Sequence, residues 1–146
     1  MKFSTRTLYG LKAILVLAGR YGEGSLSVSQ IAKKENISVA YLEQILNALK
    51  KKDLVKSVRG PQGGYVLAEK PSDISLEDLF YALEPKTEAE KVSSEDESAI
   101  ANMLFWQKLY TSIQTGLSKI TLKDILDEAR THKKSKARSS NQTFHI

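Results

Sequence analysis

The segment RGPQGGYVL at residues 59–67 most constrains the fold, because a turn with three glycines and a proline runs directly into an apolar run. The preceding residues, LVKSV, have the same strand-like character, so the pattern predicts a β-hairpin with Val55 and Val58 in its first strand and Tyr65 to Leu67 in its second. A glycine-rich loop beside a cation such as Arg59 can also cradle a nucleotide phosphate. However, a Rossmann loop opens into a helix and a P-loop needs Gly-Lys-Ser/Thr. Neither condition is met, and the hairpin is favoured.

Three helices are predicted before the hairpin. Residues 5–21 carry an apolar stripe at helical spacing: Leu8, Leu11, Leu15 and Ala18. Ser27 and Gln30 have the spacing of a capping box, which starts a short second helix. Ser38 can cap a third helix, VAYLEQILNALKKK, and a Gly-containing segment separates the first helix from the second.

The third helix has two contrasting faces. Its apolar face consists of Leu42, Ile45, Leu46 and Leu49, at helical spacing. Its opposite face consists of Ala40, Glu43, Gln44, Asn47 and Lys51. Amide side chains there suit base edges in a major groove. Two short helices followed by a hairpin predict a winged helix-turn-helix, although an ordinary surface helix would show the same polar face.

The distribution of charge is consistent with a polyanionic partner. The net charge is +5, and residues 1–70 hold 12 Lys/Arg against 5 Asp/Glu. Residues 71–99 hold 2 against 9, and residues 100–146 hold 8 against 3. A basic N-terminal part fits a polyanionic partner such as double-stranded DNA. For a net charge of this size alone, solubility is the favoured explanation.

Several classes of function are poorly supplied by this composition. There is no cysteine, and the two histidines, His132 and His145, lie far along the chain. We therefore expect no catalytic residues, no metal site and no cofactor, and we do not expect an enzyme. The longest apolar stretch, residues 13–18, is too short to span a membrane. The N-terminus lacks a signal-peptide pattern, so a cytoplasmic protein is expected.

The second half of the chain predicts a dimer. Residues 71–84 read as a helix capped by Ser75 with Asp78, and residues 85–98 as an acidic loop. A long helix over residues 99–117 then carries a coiled-coil seam composed of Met103, Trp106, Tyr110, Ile113 and Leu117. Since Ala101, Phe105 and Leu109 form a second apolar stripe, we expect the helix to contact its own domain and a second subunit.

The division of the chain follows from these elements. We expect a DNA-binding domain at 1–84, the loop at 85–98 and the dimerisation helix with a short helix after it at 99–131. Thr121 would cap that short helix, with Asp124 at the capping-box position. A basic tail with an apolar end would follow at 132–146. The fold class is therefore mainly α with a small β-hairpin.

Four segments resemble the Rrf-two family of winged-helix transcriptional regulators. These are STRTLYGLKAILVLA, ISVAYLEQIL, LVKSVRGPQGGYVLA and ITLKDIL, spread over nearly the whole chain. The resemblance implies a homodimeric repressor on a palindromic operator, with the third helix in the major groove and the wing along the minor groove. The expected DNA-binding residues are Lys2, Thr5, Ser38, Ala40, Tyr41, Glu43, Gln44, Asn47, Lys51, Arg59, Gly60, Gln62, Gly63, Gly64 and Tyr65.

One departure from the family pattern concerns the effector. Many members hold an iron–sulfur cluster through three cysteines in the loop before the long helix, and this chain has none. It therefore resembles the clusterless branch, that of the cysteine metabolism repressor, whose members sense sulfur supply through a complex with cysteine synthase. A terminal Phe144-His145-Ile146 on a polar tail is the kind of end that such a partner could capture.

Alternatives to the sulfur-responsive repressor stay open at this point. One is a regulator of another stress or metabolic response with a different effector. A second is a sensor with metal ligands other than cysteine. A third is a protein-interaction module that has lost DNA binding, and a tail that ends in isoleucine by chance would fit any of them.

Overall fold

The computed structural model describes residues 3–84 and 95–143, and side chains as far as residue 139. The elements in chain order are α1 Thr5–Gly19, α2 Val28–Glu35, α3 Val39–Lys51, β1 Val55–Val58, β2 Gly64–Leu67, a 3-10 turn Pro71–Asp73, α4 Leu76–Leu83, α5 Glu97–Ser118 and α6 Leu122–Thr143. The expected fold class, a mainly helical chain with a two-stranded hairpin forming a winged helix-turn-helix, is confirmed.

Polar side chains begin the first three helices. Ser4 Oγ accepts from Thr7 N at the start of α1, and Ser38 Oγ accepts from Tyr41 N at the start of α3. The predicted capping box of Ser27 and Gln30 is present at α2, with both reciprocal hydrogen bonds. α2 ends at Glu35, and the C-cap residue Asn36 has a left-handed φ of 55°, which turns the chain into α3. α1 ends at Gly19, two residues before the predicted end.

The core lies where α1, α2 and α3 meet the base of the hairpin and the start of α6. Its largest fully buried side chains are Ile14, Ile31, Leu42, Ile45, Leu46, Leu49, Val55, Ile74 and Leu122. The predicted inner face of α3 is therefore confirmed. Leu8, predicted in the stripe of α1, is 50% exposed instead. Leu11 and Leu15 of the same stripe are only half-buried, because the buried face of α1 is formed instead by Gly10, Ala13, Ile14, Val16, Leu17 and Ala18.

The hairpin is antiparallel and carries a third, minimal strand contact. Val55 pairs with Leu67 and Val58 with Gly64, as the sequence predicts for two short strands. Leu26, just before α2, forms an isolated antiparallel bridge with Tyr65. The hairpin is therefore attached to the helix-turn-helix beyond its own ladder.

The second half of the chain returns to the first through backbone hydrogen bonds. Leu76 N donates to Ile120 O at 2.8 Å, and Leu122 N donates to Ile74 O at 2.9 Å. The expected capping boxes, Ser75 with Asp78 and Thr121 with Asp124, are both present. α5 begins at Glu97, two residues earlier than predicted, because Asp96 caps it by accepting from Ala99 N.

The tail predicted at 132–146 is helical as far as Thr143, because α6 runs through it without a break. Residues 122–143 contain neither glycine nor proline, so no residue there stops the helix. Lys2, the predicted tail residues Phe144, His145 and Ile146, and residues 85–94 of the predicted acidic loop lie outside the described residues. Within the described ranges, no helix is long and apolar enough to cross a membrane.

Candidate nucleic-acid interface

α3 is held rigidly against the core, and this fixes the direction of its outer face. Leu42, Ile45, Leu46 and Leu49 are at most 1% exposed. Because all four lie on one side, the opposite side is left to solvent. Ala40, Glu43, Gln44, Asn47 and Lys51 are exposed there, as the sequence predicts. The helix thus presents a charged and amide-bearing surface at a defined orientation.

The N-terminal end of α3 is supported from α1. The ring of Tyr41 is half-buried and packs edge-to-face on Tyr9, with centroids 5.8 Å apart. Lys12 Nζ lies 5.7 Å from the Tyr9 ring centroid, so a cation flanks this aromatic pair. Ser38, predicted to bind DNA, uses its oxygen to cap the helix. Its hydroxyl proton is still available to an acceptor.

The wing turn depends on glycine at three positions. Gly60 has φ 119°, and its carbonyl accepts from Gly63 N at 2.8 Å, which closes the turn. A Cβ on Gly63 would lie 2.7 Å from Val58 O. A Cβ on Gly64 would collide with the Leu26 carbonyl group, which is backbone and cannot swing aside. Arg59, Pro61 and Gln62 are consequently presented at an exposed, tightly folded tip.

Two side-chain hydrogen bonds tie the wing to its surroundings. Ser25 Oγ donates to Gln62 O at 2.6 Å. Lys50 Nζ donates to Ser57 Oγ at 2.9 Å, which links the last turn of α3 to β1. α3 and the wing therefore form one connected surface, with Lys50, Lys51 and Lys52 at the junction.

The N-terminus of α1 forms a separate edge. Thr5 is exposed at the first helical position, with Ser4 as its cap. The Thr7 hydroxyl donates to Glu84 Oε1 at 2.5 Å, and Phe3 packs edge-to-face on Phe80 at 6.4 Å. These contacts dock the start of α1 on α4. The other residue predicted at this edge, Lys2, is outside the described part of the chain.

Some residues that support this candidate interface were not predicted from the sequence. Tyr9 and Lys12 lie off the predicted apolar stripe of α1. An aromatic residue near a lysine on the polar face of a helix was the sequence pattern that could have pointed to them. Ser25 gave no signal, because its partner is 37 positions away in the sequence. Only the folded hairpin brings the two together.

Similarity to known proteins identifies this arrangement. The family model Rrf2, described as "Iron-dependent Transcriptional regulator", matches residues 3–128. The transcriptional regulator CymR of Bacillus subtilis is 37% identical over 125 residues, covering 86% of this chain and 89% of CymR.

The chain belongs to the Rrf2 family.

Solved structures agree with this assignment. A structure of CymR from B. subtilis, named there as the global cysteine regulator, has a TM-score of 0.74 at 35% identity and covers 88% of this chain and 98% of that one. The IscR of T. potens has a TM-score of 0.73 at 40% identity, with 88% of each chain covered. This Rrf2 protein is accordingly a DNA-binding transcriptional regulator and not an enzyme.

The ligands of an iron–sulfur cluster are missing from this Rrf2 protein. The chain has no cysteine to supply thiolate ligands. Within residues 3–84 and 95–143, no three His, Asp or Glu side chains are grouped to hold a metal ion. The donor set therefore does not fit a cluster of that kind, despite the iron in the family description.

α5 exposes more large apolar side chains than any other described element of this Rrf2 protein. None of its residues is buried, and Phe105 and Trp106 are 60% and 49% exposed. Of the five residues predicted at a dimer seam, Met103, Ile113 and Leu117 are half-buried. The other two, Trp106 and Tyr110, are exposed. The side of the helix that contacts its own chain therefore overlaps the predicted seam.

Proposed function

We propose that this protein is a homodimeric repressor that binds a palindromic operator through α3 and the wing. The observation that carries the proposal is the connected surface described above, in which the exposed face of α3 is joined to the wing by the Lys50–Ser57 hydrogen bond. A rigid surface of this kind can read base edges with one part and grip the backbone with the other.

Each part of that surface has a separate role in the proposal. Glu43, Gln44 and Asn47 face the base edges of the major groove, since carboxylate and amide groups match the donors and acceptors there. Arg59 and Gln62 at the wing tip, with the backbone of Gly60, Gly63 and Gly64, lie along the minor groove and its phosphates. Lys51, Thr5 at the start of α1 and, as the family resemblance implies, Lys2 contact phosphates at the edges.

The dimer is proposed from α5. A 22-residue helix without a buried residue leaves its apolar side chains in water unless another chain covers them. In a two-fold dimer the same surface is used by both subunits, and two winged helices are then placed for two operator half-sites. Trp106 and Tyr110 are the seam residues with the most area left for a partner.

The proposed regulon is sulfur metabolism, without an iron–sulfur cluster. Support comes from the likeness to CymR, a cysteine regulator, and from the absence of cysteine in the chain. The family resemblance further implies cysteine synthase as the partner that reports sulfur supply. Calorimetric titration of cysteine synthase into the protein tests this directly. Deletion of Ile146 should abolish the binding, and unchanged affinity would refute the role of Phe144, His145 and Ile146.

DNA binding is tested with duplexes taken from the region upstream of the protein's own gene. Fluorescence anisotropy should show tighter binding to one of these duplexes than to a scrambled duplex of equal length. The logarithm of affinity should fall linearly with the logarithm of salt concentration, because bound lysines and arginines release counterions. Equal affinity for native and scrambled duplexes at every salt concentration would argue against an operator in this region.

A further inference from the structure

The tip of the wing has few contacts of its own. Arg59, Gly60, Pro61 and Gln62 are all exposed, and the turn is closed by the Gly63–Gly60 hydrogen bond. Gly60 has the conformational freedom of a left-handed glycine. A loop of this composition would sample many conformations unless something outside the hairpin restrained it, and ordering it on a ligand would then cost free energy.

The restraint comes from the segment before α2. Leu26 and Tyr65 exchange two backbone hydrogen bonds, Leu26 N to Tyr65 O at 3.0 Å and Tyr65 N to Leu26 O at 2.8 Å. These bonds fix the start of β2, next to the wing tip. One residue earlier, Ser25 Oγ donates to the carbonyl oxygen of Gln62 at 2.6 Å. The Leu26–Tyr65 bonds stop at β2, whereas the Ser25 hydrogen bond joins a side chain to a residue of the wing tip.

We propose that Ser25 is a positioning residue for DNA binding. Its hydroxyl holds the Gln62 carbonyl and so sets the direction in which Arg59 and Gln62 leave the wing. Ser25 acts through the tip and does not itself need to contact DNA. The inference rests on the proposed function, in which the wing tip meets the duplex. A short, glycine-rich turn held in this way already has its DNA-binding conformation in the free protein.

The physical basis is preorganisation. A hydrogen bond at the protein surface contributes little to global stability, since water can replace either partner. The same bond removes conformational freedom from a loop that must be ordered in the complex, so its benefit appears in binding. Ser25→Ala should therefore weaken operator binding about three- to tenfold, while the midpoint of thermal unfolding stays close to that of the parent.

Two matched variants make the Ser25→Ala test specific. Ser25→Thr retains the hydroxyl and should restore most of the affinity. Ser72→Ala removes an exposed serine hydroxyl from the 3-10 turn, which has no side-chain cap bond, and should bind operator like the parent. Anisotropy titrations on one operator duplex at matched salt give the affinities. A Ser25→Ala protein with parental affinity, or one that no longer folds, would overturn the positioning role.

A double-mutant cycle with Arg59→Ala separates this inference from the proposed function. If the wing meets DNA, Arg59→Ala alone weakens binding, and the loss caused by Ser25→Ala shrinks in the Arg59→Ala background. Full additivity of the two losses would show that Ser25 acts elsewhere and would refute the inference alone. If Arg59→Ala has no effect on operator affinity, the wing contact itself is refuted.

Discussion

Glu43 is the only acidic residue within α3, and it lies on the exposed face. In the proposed complex, a carboxylate there can accept a hydrogen bond from cytosine N4 and repel a phosphate that approaches out of register. We therefore expect Glu43 to contribute to choice among sequences more than to affinity. Its neighbours Gln44 and Asn47 can both donate and accept, so they tolerate more arrangements.

Glu43→Ala should relax sequence preference. We expect the ratio of operator affinity to random-duplex affinity to fall about tenfold, the size typical of one specific base contact. Glu69→Ala, which removes the same charge at an exposed position after β2, is the control and should leave the ratio unchanged. Competition titrations with both duplexes measure it. Equal losses of affinity on operator and random DNA would contradict this role.

Gly64→Ala should distort the wing and lower stability. The added Cβ would collide with the Leu26 carbonyl, and neither the loop nor β2 can move without breaking the Leu26–Tyr65 pairing. We expect a loss of about 1–3 kcal/mol in the free energy of unfolding. Urea unfolding at fixed protein concentration measures the loss.

Gly19→Ala is the matched control for that substitution. Gly19 is the last residue of α1, is exposed, and has nothing within 4 Å of where its Cβ would lie. Alanine there should raise stability by about 0.5–1 kcal/mol, because it restricts the unfolded chain. Similar effects of the two substitutions would show that the close approach of Gly64 to Leu26 has no energetic consequence.

At the scale of elements, α6 begins with a capping box in which the ionised form of the Asp124 carboxylate is stabilised. The backbone N–H of Thr121, then its hydroxyl, hydrogen-bond the Asp124 carboxylate, and with nearby Lys123 they hold its pKa below the ordinary value of 3.8. Since the folded-state pKa is below that of the unfolded chain, the stabilisation is present above the unfolded-state pKa. It is lost as pH falls through the folded-state pKa.

Asp124→Asn should remove this part of the acid sensitivity. The parent should be more stable than the variant near neutral pH, and the difference should shrink as the carboxylate of the parent is protonated in acid. Thermal unfolding at a series of pH values measures both. Glu128→Gln, one turn further along the exposed side of α6, controls for loss of a carboxylate outside the cap. A difference that is constant across the pH series would disprove the linkage.

Helix beginnings were predictable from sequence because each capping box lies within three residues. Ser27 with Gln30, Ser75 with Asp78 and Thr121 with Asp124 each form as expected. The end of α6 was predicted wrongly, since polarity after residue 132 was taken as a sign of a tail. Helix propensity does not require an apolar face, and Lys, Arg and Ala are all good helix formers.

The interface was predictable in part for a similar reason. The two faces of α3 follow from its periodicity alone, and the glycines of the wing turn follow from their spacing. The Ser25–Gln62 and Lys50–Ser57 hydrogen bonds depend on how the hairpin folds back on the helices. Such contacts carry no local pattern, so no property of the segments containing Ser25 or Lys50 reveals them.

For the whole molecule, the sequence indicated a helix with two apolar faces but not which face its own chain would cover. α5 contacts α4, and Met103, Ile113 and Leu117 are partly covered. Periodicity alone does not show which apolar stripe meets α4, because Ala101, Phe105 and Leu109 form an equally regular stripe.

Trp106→Glu should convert the proposed dimer into a monomer. A charge at an apolar interface must be desolvated, which outweighs a modest association free energy. Sedimentation should shift to the monomer mass, and operator affinity should fall because two linked half-site contacts become one. Thr115→Glu places the same charge on the opposite side of α5 by helical spacing, and it should remain dimeric. A Trp106→Glu protein that stays dimeric would exclude this side of α5 from the interface.

The lack of any buried residue in α5 also bears on how much protein a cell must contain. In the proposed dimer, α5 would be stabilised largely by a second copy, so folding and association would be coupled in one equilibrium. The melting temperature should then rise with protein concentration. At low abundance, newly made chains would be lost to proteolysis before they pair, and repression would begin at a threshold of expression.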